Sequence, residues 1–184
     1  MKHLLKLAAA AVIGVIATLP LASPSFAALK VGTRAPAFSA PAFLAGKPFT
    51  FKLADALKKG PVVVYFFPAA FTSGCNVEAH LFSEAIAKFK AHKATVIGVT
   101  AGNTERLAEF SKDTKLCGGK FPVASDPGAK IARRYDTLLP LKPGWSDRTS
   151  YLIAPSGSIT AVHSDLNPND HVKAMLAAVK ALKK

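Results

Sequence analysis

The feature that most constrains the fold is a continuous apolar segment, Pro61 to Phe67, which ends at Pro68. Its β-branched and aromatic residues follow one another without polar alternation, a pattern typical of a strand buried on both faces of a sheet. Such a strand needs helices on both sides of its sheet, so the segment predicts an α/β fold.

Helices and strands are predicted to alternate after this segment. A helix begins near Thr72 to Gly74, and its inward face has apolar residues at three- and four-residue spacing, namely Val77, Leu81, Phe82, Ala85, Ile86 and Phe89. The later segments are a strand at 94–99, a helix at 104–110, a strand at 121–124, a short helix from Asp126 to about Tyr135, a hairpin of 149–154 with 158–163, and a helix at 168–182. Residues 28–49, rich in Pro, Gly and Ala, are predicted to be an irregular lead-in. This order implies a single α/β domain with a mixed sheet, as in a thioredoxin-like fold with an inserted strand–helix unit.

The first residues are typical of a secretory signal peptide. Lys2 and Lys6 give a positive start, residues 7–22 are almost wholly apolar, and small residues precede the end of the segment at Ala27. We therefore predict a signal peptide at 1–27, cleaved after about Ala27, and a periplasmic or secreted domain at 28–184. The alternative is an uncleaved membrane anchor, although the apolar run is shorter than the roughly 20 residues that a spanning helix needs.

The chain is strongly basic, with a formal charge of +13. Its lysines are spread along the sequence, whereas a nucleic-acid interface requires a basic cluster with aromatic residues. We therefore predict no nucleic-acid partner, and attraction to an acidic surface or acidic partner stays open. The two cysteines, Cys75 and Cys117, are either a structural disulfide or a redox-active pair, and their number alone does not decide between these.

Cys75 is predicted to lie in the first turn of the helix that follows the buried strand. A helix N-terminus offers unpaired backbone N–H groups and the positive end of the helix dipole, and both stabilise a thiolate. A thiolate is a strong nucleophile. The end of a central strand also places Cys75 at the mouth of a crevice.

The residues around Cys75 carry a resemblance to a known family. Pro68-x-x-x-Thr72-x-x-Cys75 is similar to the active-site signature of peroxiredoxins, and the chain most resembles their bacterioferritin-comigratory, Q-type branch. Three other segments resemble the same family: residues 30–38, residues 121–127 and the hairpin led by Arg148. The resemblance implies a thiol-dependent peroxidase that takes hydroperoxides as substrates and a thioredoxin-like protein or other dithiol as reductant. It also implies no cofactor or metal and a monomer or weak dimer, while removal of residues 1–27 predicts no stable membrane insertion.

The resemblance assigns a role to each residue of the signature. Cys75 is the peroxidatic thiolate, and Thr72 hydrogen-bonds the thiolate and the peroxide. The alternative for Thr72 is that it serves only as the helix N-cap. Arg148 stabilises the thiolate and polarises the peroxide, while Pro68 shields the thiolate from water. Glu78 either favours the helix start electrostatically or holds Arg148.

The position of the resolving cysteine departs from the pattern of many Q-type members, because His80 occupies the site five residues after Cys75. We interpret His80 as an ordinary polar helix residue. Cys117 is then the predicted resolving residue, with an inert or intermolecular thiol as the alternatives. An unbroken helix to residue 116 would place Cys117 roughly 20 Å away, whereas a disulfide needs Cα atoms within about 7 Å. Either the helix ends near Ser111 and the chain loops back, or both segments unfold locally.

Three other functions stay open from the sequence. The first is a thiol–disulfide relay or redox sensor, although the chain lacks the Cys-x-x-Cys motif usual in such carriers. The second is a copper or zinc module, for which Cys75, Cys117, His80 and His92 are poorly spaced. The third is a binding domain with a structural disulfide.

Overall fold

The computed structural model describes residues 28–182 and places one seven-stranded sheet and five α-helices within them. The strands are β1 Ser39–Leu44, β2 Lys47–Lys52, β3 Val62–Phe66, β4 Thr95–Thr100, β5 Val123–Ser125, β6 Thr149–Ile153 and β7 Ile159–Ser164. The helices are α1 Leu53–Leu57, α2 Ser73–Ala91, α3 Leu107–Lys112, α4 Lys130–Arg134 and α5 His171–Ala181, with a 3₁₀ turn at Thr104–Arg106 before α3. The predicted signal peptide lies outside the described residues.

The predicted buried strand is β3, and it lies inside the sheet. The strand order is β2-β1-β5-β4-β3-β6-β7, with β3 parallel to β4 and antiparallel to β6. Val63 and Tyr65 belong to the core beneath α2, α3 and α5, whereas Val64 and Phe66 face the core that contains α1 and α4. Because both faces are covered, the strand has no polar alternation. The predicted mixed α/β sheet and thioredoxin-like arrangement are confirmed.

The prediction of an irregular lead-in is wrong for part of residues 28–49. β1 and β2 form an antiparallel hairpin at the sheet edge, and β1 also pairs with β5. The hairpin turns at Ala45 and Gly46, which both have positive φ. Its buried residues in β1 are Ala40 and Ala42, and alanine gives little strand signal in a sequence.

The helix predicted after Pro68 is α2, and most of its predicted inward face is confirmed, since Phe82, Ala85, Ile86 and Phe89 are buried. Leu81 is half-buried, and Val77, also predicted to be inward, is 42% exposed. The buried face further includes Cys75 and Glu78, at a helical spacing of three residues. It therefore contains a charged residue, which an apolar pattern does not count. Among the described helices, none has both the length and the apolar character needed to cross a membrane.

The helix before Cys117 ends early, as one of the two predicted alternatives required. α3 stops at Lys112, and the chain then folds back in tight turns, since Gly118 N donates to Asp113 O and Gly119 N donates to Ser111 O. Cys117 therefore lies in a loop and belongs to the core beneath α2.

Candidate active site

Cys75 lies in the first turn of α2, directly after β3 and the loop 67–72. Its side chain is 1% exposed. Thr72 occupies the N-cap position, and Asn76 N donates to Thr72 O as the helix begins. The Thr72 hydroxyl donates to Ala69 O at 3.0 Å rather than capping the helix, so its predicted contact with thiolate and peroxide stays a prediction.

Arg148 immediately precedes β6, and its side chain contacts the Cys75 sulfur. Its side chain is almost completely buried, and Nη2 donates to Cys75 Sγ at 3.5 Å. Nε donates to Leu166 O at 2.9 Å, and Nη1 donates to Glu78 Oε2. The guanidinium is thereby held at three points with one edge directed at the Cys75 thiol, and the role that the resemblance implies for Arg148 stays a prediction.

The site contains one buried cation and two acidic groups that face it. Burial alone would lower the pKa of Arg148, but Glu78 and Cys75 beside it raise that pKa above its ordinary value. Burial raises the pKa of Glu78 to about 8, against the opposing effect of Arg148. The shift favours the protonated form of Glu78 over that of an exposed carboxyl, while Arg148 keeps its charge.

Gly74 permits the close approach of Arg148 to the start of α2. A Cβ at position 74 would lie 3.0 Å from Arg148 Nη2, closer than most real Cβ contacts. The sequence predicts Gly74 only as part of the helix start. The signal that was available was a glycine, the poorest helix former after proline, inside the first turn.

The loop 67–72 is fixed by hydrogen bonds from neighbouring segments to its backbone carbonyls. Thr100 Oγ1 donates to Pro68 O at 3.0 Å, Asn103 Nδ2 to Ala70 O at 2.9 Å, and Ser146 Oγ to Phe67 O at 2.7 Å. Pro68 is half-buried and lies two residues after the end of β3. These bonds fix the backbone of the loop that leads into α2.

Phe71 adopts a strained backbone within this loop. Its φ is +62°, in the left-handed region that a bulky side chain rarely adopts. The Arg106 guanidinium lies 3.8 Å from the centre of the Phe71 ring, and the Phe110 ring meets Phe71 edge-on at 5.2 Å. Phe71 thus belongs to the loop 67–72, and Trp145 packs against Gly102, which lies beside that loop at Pro68 O and Ala69.

Three buried polar residues, Glu78, Ser150 and His171, lie behind Arg148. Of these, the sequence suggested only Glu78. His171, at the start of α5, bonds to Ser150 Oγ through Nδ1 and to Asp165 O through Nε2, both at 2.8 Å. The same Nδ1 lies 3.6 Å from Glu78 Oε1. A histidine four residues before an inward methionine, Met175, was the available signal for His171.

Cys117 is free and buried, as is Cys75. Burial, with a smaller effect of Asp113, raises the pKa of the Cys117 thiol far above its ordinary value.

The loop that contains Cys117 contacts the middle of α2: His80 Nδ1 lies 3.2 Å from Lys115 O, and Lys120 Nζ donates to Ser83 O. Residues 80–83 are about 8 to 12 Å along the helix from Cys75. The predicted disulfide is therefore not formed in this structure. His80 is exposed, as expected of an ordinary polar helix residue.

The arrangement of Cys75 is suited to nucleophilic chemistry. A thiol at a helix N-terminus beside a fixed guanidinium is stabilised as thiolate, and the same guanidinium stabilises negative charge that develops on a leaving oxygen. Within residues 28–182, no group of three or more His, Cys, Asp or Glu side chains is placed to hold a metal ion.

Comparisons with known proteins agree with this geometry. The peroxiredoxin Q of Sedum lineare chloroplasts is 31% identical over 144 residues, which are 74% of this chain and 76% of that protein. The putative peroxiredoxin bcp of Buchnera aphidicola subsp. Schizaphis graminum is 31% identical over 160 residues, 84% of this chain and 97% of that protein. The crystal structure of peroxidoxin BcpB from Mycobacterium tuberculosis has the same fold, with a TM-score of 0.74, 24% identity, and coverage of 85% of this chain and 99% of that chain.

A family model matches most of the described chain. It is that of the AhpC/TSA family, and it spans residues 31–162. This range includes the Cys75 segment, Glu78, Cys117 and Arg148, and it stops before α5. With its fold and its curated relatives, this chain belongs to the AhpC/TSA family of peroxiredoxins, which are thiol-dependent peroxidases.

Proposed function

We propose that this chain reduces hydrogen peroxide and organic hydroperoxides through Cys75, and that Arg148 is its main electrostatic partner. The observation that carries the proposal is the guanidinium of Arg148, held 3.5 Å from Cys75 Sγ by Glu78 and Leu166 O. A buried, charge-assisted donor in that position serves both the thiolate and the transition state.

In the proposed first step, the Cys75 thiolate attacks the terminal oxygen of the hydroperoxide. A sulfur–oxygen bond forms, the O–O bond breaks, and its electron pair leaves on the second oxygen, which takes up a proton to become water or an alcohol. The sulfur is oxidised to a sulfenic acid and the peroxide is reduced. Thr72 is proposed to contact the peroxide through its hydroxyl, while Pro68 limits access of water.

In the proposed second step, the Cys117 thiol attacks the Cys75 sulfenic acid. A disulfide forms and water leaves. Because Cys117 lies beside the middle of α2 and both thiols are buried, this step needs local opening of the α2 start, of the Cys117 loop, or of both. A thioredoxin-like or other dithiol reductant then restores the two thiols.

We also propose that the chain is exported, with residues 1–27 removed as a signal peptide, and acts as a monomer or weak dimer in the periplasm or outside the cell. Two positive residues, an apolar segment and small residues before Ala27 support the export. Sedimentation of the mature protein tests the oligomeric state.

The experiment that tests this function compares peroxide consumption, with a dithiol reductant, by the wild type, Cys75→Ser and Cys117→Ser. Cys75→Ser is expected to lose consumption, and Cys117→Ser to undergo the first oxidation without forming an internal disulfide. Undiminished consumption by Cys75→Ser would overturn the proposal. Full turnover by Cys117→Ser, with no internal disulfide in the wild type, would reject only the second step. Dithiol exchange without peroxide consumption would identify a thiol–disulfide relay instead.

A further inference from the structure

A buried polar chain continues from Cys75 through Arg148 and Glu78 to His171 on α5. Glu78 and His171 are both fully buried, and Glu78 Oε1 lies 3.6 Å from His171 Nδ1. Glu78 Oε2 already accepts from Arg148, whereas Oε1 has no hydrogen-bond partner within the described part of the chain. A buried carboxyl oxygen without a partner is costly, so its approach to His171 requires a physical explanation.

The contacts of His171 fix where its protons lie. Asp165 O can only accept, so Nε2, at 2.8 Å, carries a hydrogen. In the neutral ring Nδ1 is then an acceptor, and it faces both the Ser150 hydroxyl at 2.8 Å and the Glu78 carboxyl. If the ring gains a second proton, Nδ1–H faces two oxygens that can accept it. The site accommodates one extra proton on either Glu78 or His171.

Burial opposes charge on both groups. It raises the pKa of Glu78 to about 8 and lowers the pKa of His171 to about 4. The charged or titratable groups facing His171 are Glu78, Arg148, Asp165 and His163, whose ring meets that of His171 at 4.5 Å. The groups that face Glu78 are Arg148 and His171. Cys75, on the same helix as Glu78, faces Arg148, and the Tyr65 hydroxyl on β3 lies within electrostatic range of Glu78 and Arg148.

We propose that Glu78 and His171 hold one proton between them, and that His171 is thereby a positioning residue that leaves the positive charge of Arg148 to the Cys75 thiolate. The inference rests on the proposed role of Cys75. As a unit with one shared proton, Glu78 and His171 carry no net charge. Arg148 then faces a single anion, the sulfur, at 3.5 Å.

The consequence of losing His171 follows from the charges. Burial still favours a proton on Glu78, but without His171 the nitrogen 3.6 Å from Oε1 is gone, and the protonated carboxyl loses the acceptor that faces it. Glu78 therefore ionises more readily than in the wild type. The resulting carboxylate neutralises Arg148 and repels the thiolate. Glutamine at position 78 cannot ionise, so it removes this effect while preserving the shape of the protonated acid.

A double-mutant cycle on the full-length mature chain tests the proposal. The midpoint of the Cys75 thiolate titration is measured by ultraviolet absorbance in a Cys117→Ser background, for wild type, Glu78→Gln, His171→Leu and the double variant. His171→Leu is expected to raise the midpoint by about one pH unit, and to lower the peroxide rate near neutral pH about tenfold. The same change in the Glu78→Gln background is expected to leave the midpoint unchanged.

Equal upward shifts in the two backgrounds would overturn the proposal, because a purely structural role does not depend on the proton of Glu78. If His171→Leu does not fold, Glu78→Gln alone decides. An unchanged midpoint supports a protonated Glu78, and a midpoint lowered by about one unit means that Glu78 is a carboxylate in the wild type and overturns the proposal. Failure of the proposed function has a different signature, since every variant would then titrate a thiol while none consumed peroxide.

Discussion

At the scale of single residues, the chemistry of Cys75 depends on how many charges share the one buried guanidinium. Arg148 faces the sulfur and Glu78 at once. A charge-assisted donor placed on both the thiolate and the leaving oxygen acts on the ground state and on the transition state.

Arg148→Met should therefore lower the second-order rate constant for peroxide about a hundredfold, since removing one donor to a developing anion has an effect of this size in other enzymes. Stopped-flow oxidation of Cys75 measures it. Arg133→Met, at an exposed position of α4, is the matched control and should react like the wild type. A loss below threefold in folded Arg148→Met would contradict the role given to Arg148.

Glu78 and His171 also predict how stability depends on pH. Glu78 has a folded-state pKa of about 8, above its ordinary 4.5, and His171 one of about 4, below its ordinary 6.5. Glu78 therefore stabilises the fold at low pH and loses this effect as the pH rises towards 8, whereas the stability that His171 contributes is lost as the pH falls from 6.5 to 4.

Between pH 6.5 and 8 the free energy of unfolding should fall by about 1 kcal/mol, because only the unfolded chain has released the Glu78 proton. Urea unfolding across this range measures the fall. It should be absent in Glu78→Gln, and an equal fall in both proteins would assign the effect to other groups.

The residues that sequence could predict are those held in a local motif. Pro68, Thr72 and Cys75 lie within eight positions, and Arg148 leads a recognisable hairpin. The partnership of Glu78 with Arg148 spans 70 positions and that of Ser150 with His171 spans 21. Such pairings are set by how α2 and α5 pack on the sheet, which no spacing along the chain records.

At the scale of elements, β3 and α2 were predictable and the β1–β2 hairpin was not. β3 has a strong apolar signal because both of its faces are buried. β1 buries mainly alanines, and β2 lies at the sheet edge with most of its residues exposed. Edge strands formed by pairing rather than by their own hydrophobicity leave little pattern in the sequence.

The loop 67–72 leads directly into α2, so we expect its hydrogen bonds to limit how readily the start of α2 opens. Asn103 contributes one hydrogen bond to Ala70 O, and its own φ of +53° is one that glycine adopts without strain. Asn103→Gly should therefore release the loop by about 1 kcal/mol and speed disulfide formation after peroxide about fivefold, if opening of this loop limits that step.

Rapid-quench mass spectrometry measures the rate of disulfide formation, and hydrogen exchange of residues 67–76 reports the opening. Asn169→Gly, at an exposed position outside the loop, is the control. Faster exchange without faster disulfide formation would mean that the Cys117 loop, not the Cys75 loop, opens during resolution.

At the scale of the whole molecule, the sheet separates two cores, and both cysteines belong to the one beneath α2, α3 and α5. The order of strands and helices was predictable because strand-like and helix-like apolar patterns alternate along the chain, which indicates a sheet covered by layers of helices. The relation of Cys75 to Cys117 was not, since it depends on where α3 ends and how its loop returns.

The N-terminal segment predicts that the chain is exported and cleaved. When the full chain is expressed in a bacterium with an outer membrane, the periplasmic fraction should contain protein that begins at Ala28. Intact-mass measurement checks the cleavage site. Full-length protein retained in the inner membrane would show an uncleaved anchor instead.

The most direct test of the account is to locate the first oxidation. The Cys117→Ser variant receives one equivalent of hydrogen peroxide in the presence of a carbon nucleophile that traps sulfenic acids, and mass spectrometry maps the adduct. We predict a single adduct on Cys75, formed as fast as peroxide disappears. Peroxide consumption that leaves Cys75 an unmodified thiol would contradict the central claim.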